Sequence, residues 1–402
     1  MATMPSTIAE CENAMQLPVY LDNNATTPVD PQVVEAMLPF FANVFGNPSS
    51  QQHAYGTAAA RAVDRSRVAV ADLIGAQERE IVFTSGATES NNLALFGVAR
   101  RYRDRGRRHI ITAATEHKAV LEPCKQLERE GFAVTYLPVN KYGWLDPDDV
   151  VRAFTEETIL VSVMAANNEI GTLQPIREIG GHCKERGVFF HTDAAQALGK
   201  VPLNVDEMNI DLMSLSAHKV NGPKGVGALF VCGREPRPQL QPLLYGGGQE
   251  QGLRSGTLGV PNIVGFGKAC ELASEYRDSE PKRLFQLKNR LSEKILAELS
   301  DVKVNGHPTA HLPGLLHISF GGIDGESLMY TLKEVAVGQG SSCSAGGLDA
   351  SHVLRAIGLG EQWVRGSIRF GIGRFTTEEE IDWVSTRVVE TVLYLRAVAY
   401  EQ

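Results

Sequence analysis

From Tyr20 onward, short apolar runs alternate with amphipathic stretches. Ile81-Val82-Phe83-Thr84, His109-Ile110-Ile111-Thr112, Val134-Thr135-Tyr136-Leu137, Ile159-Leu160-Val161-Ser162-Val163 and Val188-Phe189-Phe190-His191 are β-branched or aromatic. Their brevity and composition predict strands. Residues 117–130 and 175–186 carry a helical period between them. Strands apolar on both faces and separated by helices predict a mainly parallel sheet covered on both sides, an α/β fold. Asp211–Leu215 and Val226–Val231 add two strands and bring the predicted sheet to seven.

The texture changes after Pro261. Residues 262–300 are helical with a break near Asp278–Pro281, strands follow at 315–320 and 367–372, and a long helix closes the chain. Thr376-Thr377-Glu378-Glu379 reads as a capping box for that helix, with Ile381, Val384, Val388 and Leu395 as its apolar stripe. The division expected is a large α/β domain over 19–275 and a smaller α+β C-terminal domain over 276–402. The N-terminal segment 1–18 joins them, and its polar residues 1–17 read as a loose tail.

Composition narrows the function. The 402 residues are 43% hydrophobic and 21% charged, enough for two or three ordinary globular domains. The 39 glycines with 19 prolines fall short of a low-complexity chain, so the glycine belongs to turns and ligand loops. Lys and Arg number 39 against 47 Asp and Glu, a net charge of −8, which argues against nucleic acid or an anionic membrane as a direct partner. The basic run Arg100–Arg108 is interrupted by Asp104 and reads as a solvated helix end. No window approaches 18 consecutive apolar residues, and no Lys or Arg precedes Arg61. A membrane span, a signal peptide and an Arg-rich transit peptide are therefore not expected, and a cytoplasmic protein is. Six scattered cysteines without a Cys-x-x-Cys pair signal neither a disulfide framework nor a metal site.

Three features carry chemistry. Ser85-Gly86-Ala87-Thr88-Glu89-Ser90 follows a strand and opens a helix, where small residues and free amides suit a phosphate. An ordinary capped βα turn is the competing reading. Asp193 ends the strand after Val188, either as a ligand-facing carboxylate or as the cap of the next turn. Lys219, in Ser216-Ala217-His218-Lys219, sits at a strand end among small residues, where desolvation suits an imine-forming lysine. Lys224, between Pro223 and Gly225, is the local competitor and better suited to a surface turn. A phosphate loop, an Asp for a ring nitrogen and an imine lysine together fit pyridoxal 5′-phosphate. At ~4 Å and an effective dielectric constant of ~20, such an Asp attracts a pyridinium by about 4 kcal/mol, roughly three pK units.

Further motifs then fall into place in order along the chain. Leu21-Asp22-Asn23-Asn24-Ala25-Thr26-Thr27-Pro28, Phe45-Gly46-Asn47-Pro48-Ser49-Ser50, Thr84–Glu89, Thr115-Glu116-His117, Ala166-Asn167-Asn168-Glu169-Ile170-Gly171 and Asp193-Ala194-Ala195-Gln196 resemble the cysteine desulfurase family, specifically its IscS/NifS group. Ala217-His218-Lys219, Gly246–Glu250 with Arg254-Ser255-Gly256-Thr257, and Ser367-Ile368-Arg369-Phe370 extend the resemblance over residues 18–395.

The resemblance implies a homodimer of the aspartate aminotransferase-like fold (fold type I of the pyridoxal phosphate enzymes). Lys219 would carry the cofactor, Asp193 would face its ring nitrogen, and His117 would stack on the ring and move protons. Gln196 would meet the phenolic oxygen, with Asn168 near that oxygen and the substrate carboxylate. Ala87, Thr88, Ser216 and His218 would bind phosphate, joined by Thr257 of the second subunit, and Arg369 would clamp the carboxylate of L-cysteine. Cys343 lies in the small-residue run Gly338–Gly347, which spans at most ~33 Å extended. By resemblance it is the nucleophile that takes sulfur as a persulfide and passes it to an iron–sulfur scaffold or another sulfur-acceptor protein. The family's usual Ser-Gly-Ser-Ala-Cys-Thr-Ser reads here Gln339-Gly340-Ser341-Ser342-Cys343-Ser344-Ala345. Cys124, Cys183, Cys232 and Cys270 read as small buried hydrophobes. The alternative that keeps the cofactor is a selenocysteine lyase or an aminotransferase.

Overall fold

A computed structural model describes residues 15–339 and 351–400. Cys343 and Cys11 lie outside the described residues. The strands in chain order are β1 (Val19–Tyr20), β2 (Ile81–Thr84), β3 (His109–Ala113), β4 (Ala133–Leu137), β5 (Thr158–Ser162), β6 (Phe189–Asp193), β7 (Leu212–Ser216), β8 (Gly227–Val231), β9 (Val302–Asn305), β10 (Leu315–Phe320), β11 (Val335–Ala336) and β12 (Ser367–Gly371).

The seven-stranded sheet has the order β2-β8-β7-β6-β5-β3-β4. Strand β8 is antiparallel to both its neighbours, and the other pairs are parallel. Strands β2, β3 and β5 to β8 are buried along their whole length, because helices cover both faces. One apolar cluster, with Phe83, Phe190 and Phe230, packs the face under the helices Ala54–Ile74 and Val260–Glu275. A second, with Leu93, Val98 and Cys124, packs the other face under Ala87–Tyr102 and Lys118–Arg129.

A third apolar cluster belongs to the C-terminal part. It holds Leu287, Leu291, Phe320, Phe370, Ile381, Val384 and Val388, around the antiparallel sheet β12-β10-β9. Val19 and Leu21 join this cluster, and β1 pairs with β11. The last helix runs Glu378–Tyr400. Its capping box lies one residue later than the sequence predicts: Glu380 N donates to Thr377 Oγ1 (3.2 Å) and Thr377 N to a Glu380 carboxylate oxygen (2.9 Å). Thr376 is occupied elsewhere, its Oγ1 accepting from Gly373 N at 3.1 Å. Among the described residues no helix is long and apolar enough to cross a membrane.

Candidate active site

All strands of the large sheet but β8 run the same way, so their carboxyl ends share one edge, where open α/β sheets bind ligands. A cavity of about 610 Å³ opens there. Ala87, Thr88, His117, Asn168, Asp193, Gln196, Ser216, His218, Lys219 and Arg369 all line it. Thr257 does not and is exposed, and Cys343 falls outside the described residues.

One wall is the start of the 16-residue helix Ala87–Tyr102, which no side chain caps. Gly86 enters it at φ +149°, a backbone region kept for glycine. Strand β8 makes room for that turn by carrying Gly227, where a Cβ would stand 2.7 Å from Gly86 Cα. Uncapped amides at a helix N-terminus in a glycine-shaped cradle suit an anion.

Opposite it, β6 delivers Asp193, only 7% exposed. Its carboxylate accepts from Asn91 Nδ2 at 2.7 Å and from Ala195 N at 2.9 Å. Among the described residues no Lys or Arg pairs with it, so a buried negative charge faces the cavity without a cation. The residue reaching toward it from one turn inside the helix, Asn91, was not foreseen. Its signal is faint: an Asn on the inward face of a helix otherwise packed with Leu93, Ala94 and Val98. Glu116 is a second unforeseen group. It is fully buried, accepts from Met164 N at 2.7 Å, and leaves Oε2 without a partner. Burial pushes its carboxyl well above the usual range.

After β7 a tight turn, Ala217–Lys219, presents the lysine. Lys219 Nζ donates to Asn24 O (2.5 Å) and Ala25 O (2.7 Å), on the N-terminal segment that crosses the sheet edge. Thr27 fixes that crossing by donating from N and Oγ1 to His218 O, each at 3.0 Å. His218 Nδ1 lies 3.1 Å from Thr26 Oγ1, and burial with the Lys219, Lys224 and Lys200 charges lowers its pKa to about 4, leaving a neutral hydrogen-bonding ring. His117 is the N-cap of Lys118–Arg129, its Nδ1 accepting from Ala119 N at 3.1 Å, which orients the ring.

The C-terminal part contributes Arg369, 3% exposed, on β12. Its Nη1 donates to Asn168 O at 2.9 Å and its Nη2 to Asp22 Oδ1 at 2.8 Å, while its buried Nε has no partner among the described residues. The guanidinium is thus fixed in place and still has donor capacity toward a carboxylate. The four described cysteines are all buried, and burial pushes the Cys124 thiol up to about 12 and those of Cys183 and Cys270 well up.

A family model described as Aminotransferase class-V matches residues 19–384. This chain belongs to the class-V aminotransferase family. A protein of Mus musculus named cysteine desulfurase is 53% identical over 386 residues, which cover 96% of this chain and 84% of the mouse protein. A solved NifS-like protein matches with a TM-score of 0.87 at 38% identity, over 94% of this chain and all of its own. A solved SspA, in complex with cysteine, matches with a TM-score of 0.79 at 40% identity, over 89% of this chain and 100% of its own. The family works with pyridoxal 5′-phosphate. The residues fit that group: an anion cradle, a buried carboxylate without a cation, and a lysine all border one cavity.

Proposed function

We propose that this chain is a cysteine desulfurase, converting L-cysteine to L-alanine with the sulfur held as a persulfide on Cys343. The observation that carries the reading is where the two flanks of the Cys343 segment are tied. Gly338 N donates to Arg369 O (3.2 Å) and Arg369 N to Gly338 O (2.7 Å). On the other flank Ser351 Oγ donates to Glu169, and His352 Nε2 meets Glu116 O, next to His117, at 2.9 Å. Cys343 is five residues past Gly338, and five extended residues span at most about 17 Å, a length that would let its thiol meet a substrate held by Arg369.

The ligand-binding roles follow the family resemblance, and the residues' places around the cavity support them. Arg369 binds the substrate carboxylate, with Asn168 beside it. The amides of Ala87 and Thr88, with Ser216 and His218, hold the cofactor's phosphate, joined by the partner subunit's Thr257 in a homodimer; the exposure of Thr257 supports that reading. Asp193 would face the ring nitrogen and Gln196 the phenolic oxygen. Pyridoxal phosphate, when bound, serves as the sink for the electron pair left on substrate carbon.

Lys219 Nζ takes the Cα proton of the substrate and returns protons to carbon. The Cys343 thiol gives up its proton, for which His117 is the base at the cavity wall, and attacks the substrate sulfur as thiolate. The sulfur–sulfur bond forms as the carbon–sulfur bond breaks, and the electron pair stays with Cβ, which is protonated. Cysteine plus one thiol becomes alanine plus one persulfide, with no external oxidant. An iron–sulfur scaffold or another sulfur-acceptor protein then draws the outer sulfur off.

Mass spectrometry of the Cys343 peptide after incubation with cysteine tests this directly. The expected product is a gain of one sulfur together with one alanine, both lost in Cys343→Ser. Alanine formation undiminished in Cys343→Ser overturns the assignment and favours chemistry that does not need a persulfide.

A further inference from the structure

Lys200 stands behind the site, and none of the roles above uses it. Its Nζ donates to Gln196 Oε1 at 3.1 Å. The same oxygen accepts from Asn24 Nδ2 at 3.1 Å, and the other edge of the amide, Nε2, donates to Asn24 O at 2.8 Å. Asn24 O is also the seat of Lys219 Nζ. One hydrogen-bonded chain therefore runs Lys200, Gln196, Asn24, Lys219. The two lysines also border a second cavity of about 40 Å³, together with Asn23, Glu280 and Arg374. That volume is enough for a water among polar walls.

As an ammonium, Lys200 offers three donors and no acceptor and so faces the oxygen edge of the Gln196 amide, while Asn24 O, which can only accept, holds the other edge. Nε2 is thereby kept as the edge available to a ligand, with one hydrogen on Asn24 O and a second without a protein partner among the described residues. Without Lys200 only the two Asn24 bonds distinguish the amide's edges, and a turned amide would offer an oxygen where the phenolic oxygen needs a donor.

Charge acts along the same chain. Lys219, from the turn after β7, and Arg369, from β12, both oppose a proton on Lys200. Glu280, at the start of the helix Glu280–Glu298, favours one, but it is already ion-paired with Arg374 at 2.9 Å. Burial, then these cations, bring the Lys200 pKa down to about 7. Two cationic groups joined by one bridge titrate as a pair, each proton making the other harder to keep.

We infer that Lys200 is a positioning residue for the cofactor end of the site: through Gln196 it helps fix the donor edge shown to the phenolic oxygen, and a donor kept on that oxygen holds down the proton affinity of the Lys219 nitrogen. The inference rests on the pyridoxal phosphate reading given above.

The test is a pH titration, from 6 to 10, of the visible absorption of the holoenzyme and its Lys200→Met, Lys200→Gln and Lys200→Arg variants, with kcat and KM alongside. The Met and Gln variants are expected to titrate about one pH unit higher, a tenfold gain in proton affinity, with the loss falling on kcat rather than KM. Lys200→Arg, which keeps charge and donors, is expected to follow the parent. Lys200→Gln is close in size and carries the test if Lys200→Met does not fold. A parent protein without cofactor absorption refutes the pyridoxal phosphate reading itself. A parent that titrates, with Met and Gln variants superimposed on it, overturns the role of Lys200 alone.

Discussion

Arg369→Lys separates a carboxylate clamp from a structural arginine. In the parent, Asn168 O and Asp22 hold two guanidinium nitrogens at 2.9 and 2.8 Å, and Nε is buried without a partner among the described residues. A lysine keeps the positive charge that Asp22 pairs with, so the half-buried carboxylate partner is not abandoned. What it loses is the planar fork that can grip a carboxylate with two charge-assisted bonds. One such bond contributes about 1.5–3 kcal/mol, which is roughly a 10- to 150-fold change in binding. Because substrate is held through its carboxylate before and during reaction, this loss falls on KM, with kcat changed only a few-fold. Alanine formation measured against cysteine concentration gives both constants, and a urea melt checks that the fold survives. If KM stays within about threefold of the parent while the melt is unchanged, Arg369 is not the clamp. If kcat collapses and KM does not move, the residue acts on the chemical step instead.

Three further outcomes follow from the packing. Gly227→Ala places a Cβ 2.4 Å from Leu215 O and 2.7 Å from Gly86 Cα, both backbone, so it costs about 1–3 kcal/mol in a urea melt and weakens pyridoxal phosphate binding in a fluorescence titration. Gly181→Ala, with open space around it, is the silent control, and equal losses in both would refute the cradle. Arg67→Met leaves the Glu250 carboxylate, 2% exposed and paired to Arg67 at 2.8 Å, buried with only the Phe83 amide, at about 3–5 kcal/mol in the same melt. An unchanged midpoint there would show the pair to be without net worth. Acid weakens the fold through His191, His311 and His317, whose burial lowers their pKa to about 4, 4 and 3. They stay neutral in the fold while the unfolded chain takes protons below pH 6.5, so stability is full above that pH and falls as pH drops toward 4, by about 3 kcal/mol per ring. Asp211, raised by burial to about 6, opposes them in part, because the folded state takes its proton first between pH 6 and 4. A urea midpoint that holds or rises from pH 7 to 5 would contradict the balance.

The parallel sheet was legible because its strands are buried on both faces and so read as unbroken apolar runs bounded by polar ones. Their ends were less so. The end of β6 at Asp193 was read correctly, but β7 runs on to Ser216, because backbone pairing continues past the last apolar residue into a polar residue that lines the cavity. Strand β1 has two residues and no period to detect, and it forms only because β11, more than 300 positions away, offers it an edge. The cap of the last helix shifted by one residue for a similar reason. Thr376 and Thr377 are equal candidates locally, and a tertiary bond from Gly373 N claims the first.

The same division runs through the site. Strand ends and helix starts carry a positional signature, and Asp193, Lys219 and the Gly86 turn, which border the cavity, were picked out that way. Residues that meet another residue carry none. Asn91, Glu116, Asp22 and Lys200 each act on a partner distant in sequence or across a turn, so only the folded chain brings Asn91 to Asp193, or Lys200 through Gln196 to Asn24. Asn24 and Asp22 stand two residues apart in one motif, yet Asn24 seats Lys219 from the sheet domain and Asp22 seats Arg369 from the C-terminal part. That short N-terminal stretch therefore sets two cationic groups from different cores against one cavity. Its energetic weight is in geometry: a displacement there moves Lys219 and Arg369 together, and the segment is buried at Asn23 and Asn24 despite its polarity.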